Sequence, residues 1–354
     1  MSFTKNQNIL IFTLLVALAG TLSYLFLLPQ DNSYQRGALI DRFDTVATTA
    51  EEDYRPILVP LGSDEAVSLA SSLKGEEVLY YEVSTGRTYS FDPKTRTREV
   101  VSENILEGFE RSIWSPARKE VISLFTTRQG QEYRYYDFES KISTTLPKGI
   151  SSVVFSPDGS RIAYFLQKEG GDNQIMVSRP DGSLPKEILK TRIPSLNISW
   201  PKEEMLSLQY KKEGGEGGLY TLTLSGNLEK KLSGAPSLSV LWSPSAEQLL
   251  YSTEDPSGAT SFYIMRGQET KKINIEASSE LCAWDNNEEN IFCLVSSRES
   301  AGEVALSSLD AKTLETTVIR PRLDVRPKEV LLTRLNGYLI ILDRHNQLYA
   351  APLN

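Results

Sequence analysis

The sequence predicts an all-β protein, a β-propeller preceded by a single transmembrane helix. Two observations predict this fold class. Segments of one pattern recur about every 42 residues along the chain, and one uncharged apolar run of twenty residues lies near the N-terminus. Repeats of four short antiparallel strands at this period are typical of β-propellers. We expect seven blades of four strands each, with six or eight blades as the alternatives.

An aromatic residue marks the same position in five of the repeats. The first strand of the repeat ends at this anchor, a tight turn follows, and the second strand begins seven residues after the anchor in four of them. This spacing places the anchor opposite the first residue of the second strand, as with Phe155 and Ile162. Two further repeats have Ser71 and Leu332 at the anchor position. The aromatic anchors are Trp114, Phe155, Trp200, Trp242 and Trp284.

The last repeat supplies only three strands, which leaves its blade incomplete. Residues 55–60, Arg-Pro-Ile-Leu-Val-Pro, precede the first repeat and can form a short strand. Such a strand would complete the last blade and close the ring. We therefore expect residues 55–354 to form one propeller domain.

The apolar run predicts a membrane anchor. Residues 9–28 contain no charged side chain, and at the helical rise they span about 30 Å, one hydrocarbon core. Lys5 precedes the run and Asp31 follows it, so the positive-inside rule favours a cytoplasmic N-terminus and a single-pass protein with its propeller outside, periplasmic or extracellular. The expected segments are a cytoplasmic N-terminus at 1–8, a signal-anchor helix at 9–28 and a stalk at 29–54. The alternative is a cleaved signal peptide, because Ala17-Leu18-Ala19 has the small-x-small form of a cleavage site.

The composition excludes several classes of site. One His and two Cys are too few for a Cys/His metal cluster or for a mechanism with two imidazoles. A net charge of −8, from 38 basic and 46 acidic residues, does not provide the basic field that nucleic-acid binding requires. We therefore predict no metal, no cofactor and no nucleic-acid partner. His345 follows Asp343 within a polar stretch between two apolar strands, which is typical of a hairpin turn.

One stretch carries a family resemblance. Residues 156–165, SPDGSRIAYF, together with the Trp-Ser-Pro sequences at 114–116 and 242–244, resemble the WD-like repeat of TolB-type propellers over about 250 residues. The resemblance implies a propeller fold in which the Trp and Pro-Asp-Gly residues are structural, and it brings no catalytic residues. TolB proteins carry an additional α/β domain before a six-bladed ring, for which residues 29–55 leave no room. The resemblance therefore implies a membrane-tethered relative and not the TolB role itself.

The two cysteines lie in the first hairpin of one repeat. With Trp284 opposite Ile291, Cys282 falls opposite Cys293 on the neighbouring strand. An oxidising compartment permits a disulfide between them, whereas two buried thiols are common in protein cores. The sequence leaves both states open.

Loops between the second and third strands of the repeats are longer and more charged than the other turns. Ring geometry would bring these loops to one face, where a rigid scaffold presents binding residues. A solvated connection explains the same composition. The candidate binding residues are Lys168, Asp172, Lys211, Lys212, Glu254, Asp255, Arg298 and Glu299.

These observations predict a non-enzymatic propeller, tethered to the membrane through residues 9–28, that acts as an interaction or scaffold module of the cell envelope with a protein partner. No catalytic motif is present in the sequence. The alternative is an extracytoplasmic propeller-type glycan lyase or hydrolase that uses carboxylates and tyrosines in the central funnel. Converging acidic side chains near the ring axis would favour the alternative.

Overall fold

The computed structural model describes residues 58–60, 65–211, 215–296 and 303–353. The predicted membrane helix at 9–28 and the predicted stalk at 29–54 lie outside these residues. Among the residues that the structure describes, no helix is long and apolar enough to cross a membrane.

The described chain forms 28 strands in seven sheets of four strands each, which confirms the predicted seven-bladed propeller. Strand β1 is Val59–Pro60. Blade 1 comprises β2 (Ala66–Ser71), β3 (Val78–Glu82), β4 (Thr88–Asp92) and β5 (Thr97–Ser102). Blade 2 comprises β6 (Phe109–Trp114), β7 (Glu120–Thr127), β8 (Gly130–Asp137) and β9 (Ser143–Thr145). Blade 3 comprises β10 (Ile150–Phe155), β11 (Ile162–Leu166), β12 (Asn173–Ser178) and β13 (Lys186–Thr191).

The remaining blades repeat this order. Blade 4 comprises β14 (Leu196–Lys202), β15 (Met205–Lys211), β16 (Glu216–Thr223) and β17 (Leu228–Pro236). Blade 5 comprises β18 (Ser239–Trp242), β19 (Gln248–Glu254), β20 (Thr260–Arg266) and β21 (Glu269–Ile273). Blade 6 comprises β22 (Ala277–Trp284), β23 (Asn290–Ser296), β24 (Val304–Asp310) and β25 (Thr316–Leu323). Blade 7 comprises β26 (Pro327–Leu332), β27 (Tyr338–Asp343), β28 (Leu348–Pro352) and β1.

Strand β1 is the fourth strand of the seventh sheet. It pairs antiparallel with β28, with Val59 opposite Ala350 and Pro60 opposite Tyr349. The start and the end of the described chain therefore belong to one blade, which ties them together by backbone hydrogen bonds.

The register within the blades follows the anchor spacing. Phe155 lies opposite Ile162, and Trp114 lies opposite Val121 seven residues later. The fourth blade differs, because a register irregularity between Ser199 and Lys202 surrounds the anchor Trp200. The shorter turn in that repeat removes one residue between the anchor and the second strand, and the bulge absorbs the difference.

Alternate residues of each strand contact the two neighbouring blades. In blade 2, Ile122 and Leu124 point toward blade 3, where they pack against Phe155, Ile162 and Tyr164. Side chains alternate between the two faces of a strand, so Val121 and its second neighbours point toward blade 1. The first strands of most neighbouring blades pack side by side, which places them innermost in the ring.

Candidate functional site at the ring centre

A cavity of about 480 Å³ lies among the inner strands β2, β6 and β26 of blades 1, 2 and 7. We call it the central cavity. Apolar side chains such as Leu69 and Leu331 form part of its wall. Four charged side chains also line it: Arg111, Arg118, Lys328 and Glu329.

Glu329 is the acidic group of the central cavity. It lies on β26 directly after a register irregularity that follows Pro327, and bulges of this kind redirect side chains next to functional sites. The Glu329 side chain is exposed to solvent, although neighbouring protein atoms partly desolvate its carboxyl group. This desolvation raises the pKa of Glu329 above its ordinary value, against the opposing effect of the neighbouring Lys328.

The three cations of the central cavity differ in their partners. Arg118 is fixed, because its Nε donates to the Ser71 carbonyl at 2.9 Å and its Nη1 donates to the Ser115 carbonyl at 2.9 Å. Burial also lowers the pKa of Arg118. Arg111 donates to the Tyr133 hydroxyl at 3.3 Å, and Lys328 donates to the Asn346 side-chain oxygen at 2.9 Å.

The partners of Arg111 and Lys328 are neutral, so both positive charges remain available to an anion. Within the described ranges, neither cation forms a salt bridge with a carboxylate. A carboxyl group with a raised pKa is suited to proton transfer, and guanidinium and ammonium groups bind carboxylates or phosphates. The arrangement can hold an acidic substrate and move one of its protons.

A backbone bulge shapes the wall opposite Glu329. Ser68 has a φ of 63° in β2, and the register shifts between Val67 and Ala70. Ser68 connects two blades, because its hydroxyl accepts from the Ser112 amide at 2.6 Å and its carbonyl accepts from Trp114 Nε1 at 2.9 Å. The inner strands of blades 1 and 2 are thereby fixed relative to each other.

Two of the eight loop residues predicted from the sequence meet at a second cavity. Lys211 at the end of β15 and Glu254 at the end of β19 line a polar cavity of about 460 Å³ among blades 4, 5 and 6. Asn197 and Glu280 from the inner strands β14 and β22 line it too. The cavity therefore presents both signs of charge, and we call it the polar cavity.

The other predicted loop residues do not converge there. Asp172 forms an exposed salt bridge with Arg192 at 3.4 Å. Asp255 caps its own loop, and hydrogen bonds from Ser257 lower its pKa. The Lys168 amide donates to the Asn173 side chain at 2.9 Å, and neither Lys168 nor Asp172 lines the polar cavity. Lys212, Arg298 and Glu299 lie outside the described residues.

The cysteines and the aromatic anchors have structural positions. Cys282 and Cys293 lie opposite each other in the register and form a disulfide, with sulfur atoms 2.13 Å apart. Four of the five anchors are buried, and Trp242 is half-buried, with its Nε1 donating to the Ser207 hydroxyl at 2.9 Å. His345 is exposed in the β27–β28 turn, where Asp343 accepts from the backbone amides of His345 and Gln347 at 2.8 Å. Asp343 therefore shapes the turn.

Sequence reasoning did not single out Arg111, Lys328 or Glu329. One signal was available: β26 carries adjacent charged residues, Lys328 and Glu329, on an inner strand, whereas β10 of blade 3 carries none. The convergence of Arg111 with Glu329 requires the closed ring.

No protein-family model matches the chain. The Tol-Pal system protein TolB of Alkalilimnicola ehrlichii is 30% identical over 106 residues, which cover 27% of this chain and 24% of that protein. The resemblance to TolB-type propellers is confirmed, although the chain spans only about a quarter of the length of this curated relative.

Solved structures show the same fold at low identity. An oligogalacturonate lyase in complex with manganese superposes with a TM-score of 0.64 at 12% identity, over 84% of this chain and 93% of the other. The oligogalacturonate lyase of Vibrio parahaemolyticus gives a TM-score of 0.61 at 10% identity, over 83% and 93% of the two chains. The propeller domain of the Trilobed protease from Pyrococcus furiosus, which has an open velcro topology, gives 0.57 at 15% identity, over 78% and 91%.

The prediction that the protein is not an enzyme is wrong. Oligogalacturonate lyases share its fold over most of both chains. The physical reason for the error is that a propeller site takes single residues from several inner strands, so it leaves no contiguous motif in the sequence. A missing motif therefore did not justify the exclusion of catalysis.

A manganese site like the one implied by the first of these structures does not fit the residues present. Divalent manganese favours several imidazole, carboxylate or carbonyl ligands. The central cavity contains one carboxylate and no imidazole, and no group of three or more His, Cys, Asp or Glu side chains occurs among the described residues. The groups available for a reaction in the central cavity are therefore its own side chains.

Proposed function

We propose that the protein is a propeller-type lyase of acidic glycans, anchored in the membrane by residues 9–28 with its propeller outside the cytoplasm. The observation that carries the proposal is Glu329, a desolvated carboxyl group with a raised pKa in a cavity that it shares with Arg111 and Lys328. The fold shared with oligogalacturonate lyases supports the same conclusion.

The proposed reaction is a β-elimination on a uronate unit. Arg111 and Lys328 bind the carboxylate of the sugar and stabilise the negative charge that develops on it. Glu329 takes the proton from the carbon beside that carboxylate, and the electrons of the broken C–H bond form a carbon–carbon double bond. The bond from the next carbon to the glycosidic oxygen breaks, and Glu329 returns the proton to this oxygen. The products are an unsaturated uronide and a free hydroxyl group.

The single carboxylate favours elimination over hydrolysis. Glycoside hydrolysis generally uses two carboxyl groups that flank the scissile bond. In the central cavity Glu329 is the one acidic side chain among its lining residues, whereas three of those residues are cations. This balance suits an anionic substrate and a single proton-transfer group.

The disulfide supports a location outside the cytoplasm. Cys282 and Cys293 are bonded, and disulfides persist mainly in oxidising compartments. Protease added to intact cells should digest the propeller and leave residues 1–8 protected. Full protection of the propeller would reverse the proposed orientation.

The test of activity uses the full-length chain purified in detergent. Incubation with oligogalacturonate or alginate oligomers should increase the ultraviolet absorbance that the unsaturated product causes. Glu329→Gln keeps the size of the side chain and removes the base, so it should lower the rate by at least about a hundredfold. Arg111→Ala should mainly raise KM. Glu315→Gln, a change in an exposed turn, is the matched control.

Three results of this experiment would contradict the proposed reaction. Elimination that persists in Glu329→Gln would exclude Glu329 as the base. Products with saturated ends would indicate hydrolysis. No product from any uronate oligomer would reject the lyase proposal.

A second function, binding of an envelope protein, is favoured by the polar cavity. Lys211 and Glu254 line it at the strand ends next to the loops, and the match to a Tol-Pal system protein adds support. Crosslinking in intact membranes should capture a partner that the double variant Lys211→Ala/Glu254→Ala no longer captures. The control is Asp172→Ala, which should capture the partner as well as wild type does. Loss of capture in Asp172→Ala would mean that the partner binds outside the polar cavity.

A further inference from the structure

A third cavity lies between blades 1 and 2, outside the central cavity. Its volume is about 390 Å³, within the range of small-molecule sites and far above the voids that packed cores tolerate. We call it the aromatic crevice. The connection between β5 and β6 forms its mouth, where Ile105 is 65% exposed.

Aromatic rings form one wall of the aromatic crevice. Phe125 on β7 and Tyr136 on β8 point toward it from blade 2, Phe138 lies directly after β8, and Tyr81 lies on the side of blade 1. Tyr136 and Phe138 meet edge to face at 5.2 Å between ring centroids. Flat rings of this kind bury the apolar face of a ligand.

A wall of hydroxyl groups on blade 1 faces the rings of blade 2. Thr88 and Ser102 form this wall, side by side on β4 and β5, and Ser123 lies across from them on β7 of blade 2. Thr88 is also hydrogen-bonded to Tyr81. Ser123 and Ser112 are hydrogen-bonded to each other at 2.6 Å. Hydroxyl groups both donate and accept, so the wall suits a ligand that carries hydroxyls of its own.

The hydroxyl residues replace core residues at defined positions of the repeat. Nine residues after the anchor, blade 2 has Ser123, whereas blades 3 and 5 have Tyr164 and Tyr251. The position of Thr88, opposite Tyr81 in the second hairpin, is occupied in other blades by apolar side chains. These are Tyr133 in blade 2, Ile175 in blade 3 and Phe262 in blade 5. The cavity therefore results from particular side chains and not from a different backbone.

Neither sign of charge dominates the aromatic crevice, because its charged lining residues are one cation, Arg134, and one carboxylate, the exposed Glu107. Arg134 is its cation, and its guanidinium lies 4.4 Å from the centre of the Phe125 ring. Glu132 neutralises it through a salt bridge at 2.5 Å between Oε1 and Nη2. An uncharged ligand with a ring, an apolar face and several hydroxyl groups matches these walls.

We propose that the aromatic crevice binds a neutral saccharide of one or two sugar units. The ring carbons of the sugar pack on Tyr136 and Phe138, and its hydroxyls bond to Thr88, Ser102 and Ser123. This site is independent of the acidic-glycan chemistry of the central cavity.

Calorimetric titration of the full-length chain with methyl glucoside, maltose and cellobiose tests the proposal. At least one of these sugars should bind. Ser123→Tyr, which installs the residue of blades 3 and 5, should weaken binding at least about tenfold by filling the crevice. Thr88→Val should weaken the binding of the sugar without changing the binding of indole, a ring compound that lacks hydroxyl groups. Ser225→Tyr, in an exposed turn of blade 4, is the control and should bind like wild type.

Three outcomes would overturn the proposal: no binding of any of the three sugars, binding unchanged in both Ser123→Tyr and Thr88→Val, or binding of indole alone. Ser123→Tyr should leave elimination of uronate oligomers unchanged. Loss of sugar binding with retained elimination therefore separates this site from the central cavity. An unchanged thermal unfolding midpoint, or a higher one, shows that the variant folds.

Discussion

Blade 2 packs one face against blade 3 through a cluster of buried side chains, and its other face leaves the aromatic crevice beside blade 1. Both faces belong to the same strands, β7 and β8. Toward blade 3 these strands present Ile122, Leu124, Tyr133 and Tyr135, whereas toward blade 1 they present Ser123 and Arg134 between aromatic rings. The pairing of β7 with β8 is regular along its whole length. Side-chain size at a few positions therefore decides whether a blade interface is solid or hollow.

The position nine residues after the anchor shows three solutions to the same packing problem. Tyr164 fills the interface of blades 2 and 3 and is 1% exposed. Ser123 leaves the interface of blades 1 and 2 open. Cys293 in blade 6 bonds covalently to Cys282 on the neighbouring strand.

Tyr164→Ser should open the filled interface. The loss of a buried ring in a packed core should lower the free energy of unfolding by about 3–5 kcal/mol. Denaturant unfolding measures the change, and Tyr164→Phe, which keeps the ring, is the control with an expected loss of about 1 kcal/mol. Equal losses in the two variants would show that the hydroxyl and not the ring stabilises this interface.

Removal of the disulfide should destabilise blade 6. The bond closes a loop with a sequence separation of 11 residues, so Cys282→Ala/Cys293→Ala should cost about 2–3 kcal/mol. Reductant should destabilise wild type by a similar amount and leave the double variant unchanged. The prediction would be contradicted if reductant left the stability of wild type unchanged while alkylation showed that both thiols had been freed.

Ser123→Tyr should stabilise the open interface. The new ring fills the aromatic crevice and buries the apolar surface that lines it. Changes that fill a cavity typically raise the free energy of unfolding by about 1 kcal/mol. The Ser112 hydroxyl loses Ser123 as a partner but keeps the Tyr81 hydroxyl, to which it is also bonded. The thermal unfolding midpoint measures the gain, with Ser225→Tyr as the control. A large loss of stability would mean that the interface cannot accept the ring.

The smallest effect concerns the charge in the central cavity. Burial raises the pKa of Glu329 in the folded state, so the folded protein holds this proton more strongly than the unfolded chain. Wild type should therefore lose stability as the pH rises from about 4.3, the unfolded value, through the raised pKa. Glu329→Gln lacks this titratable group, so its unfolding midpoint should exceed that of wild type by a difference that depends on pH. The difference should be near zero at low pH, grow as the pH rises, and level off above the raised pKa of Glu329. A difference in unfolding midpoint between the two proteins that stays constant across pH would contradict this prediction.

The anchor spacing predicted the fold well because it is a local property. Strand pairing such as that of Phe155 with Ile162 depends on a short turn, and a repeat of constant length fixes the number of blades. The same logic placed Cys282 opposite Cys293. It failed locally at Trp200, where one residue fewer in the turn produced a bulge that periodicity does not reveal.

The candidate site was largely beyond the sequence. Of the loop residues chosen for charge and length, Lys211 and Glu254 meet at one cavity, while Asp172 and Asp255 are engaged in local contacts. Charged loops are common on any surface, so composition alone does not distinguish a site from a solvated turn. The non-enzymatic interpretation failed for a related reason, since it searched for a contiguous motif.

By itself the sequence determined the repeat, the seven blades, the strand register and the neighbouring positions of the two cysteines. These features depend on turns and alternation over a few residues. Only the tertiary structure decided which charges meet and which interface stays open. Glu329 from blade 7 reaches the same cavity as Arg111 from blade 2 because the closed ring brings blade 7 next to blade 1, and Ser123 faces Thr88 because the two blades pack face to face. Contacts between distant residues depend on which side chains of different blades face each other in the closed ring, and no local pattern encodes those pairs.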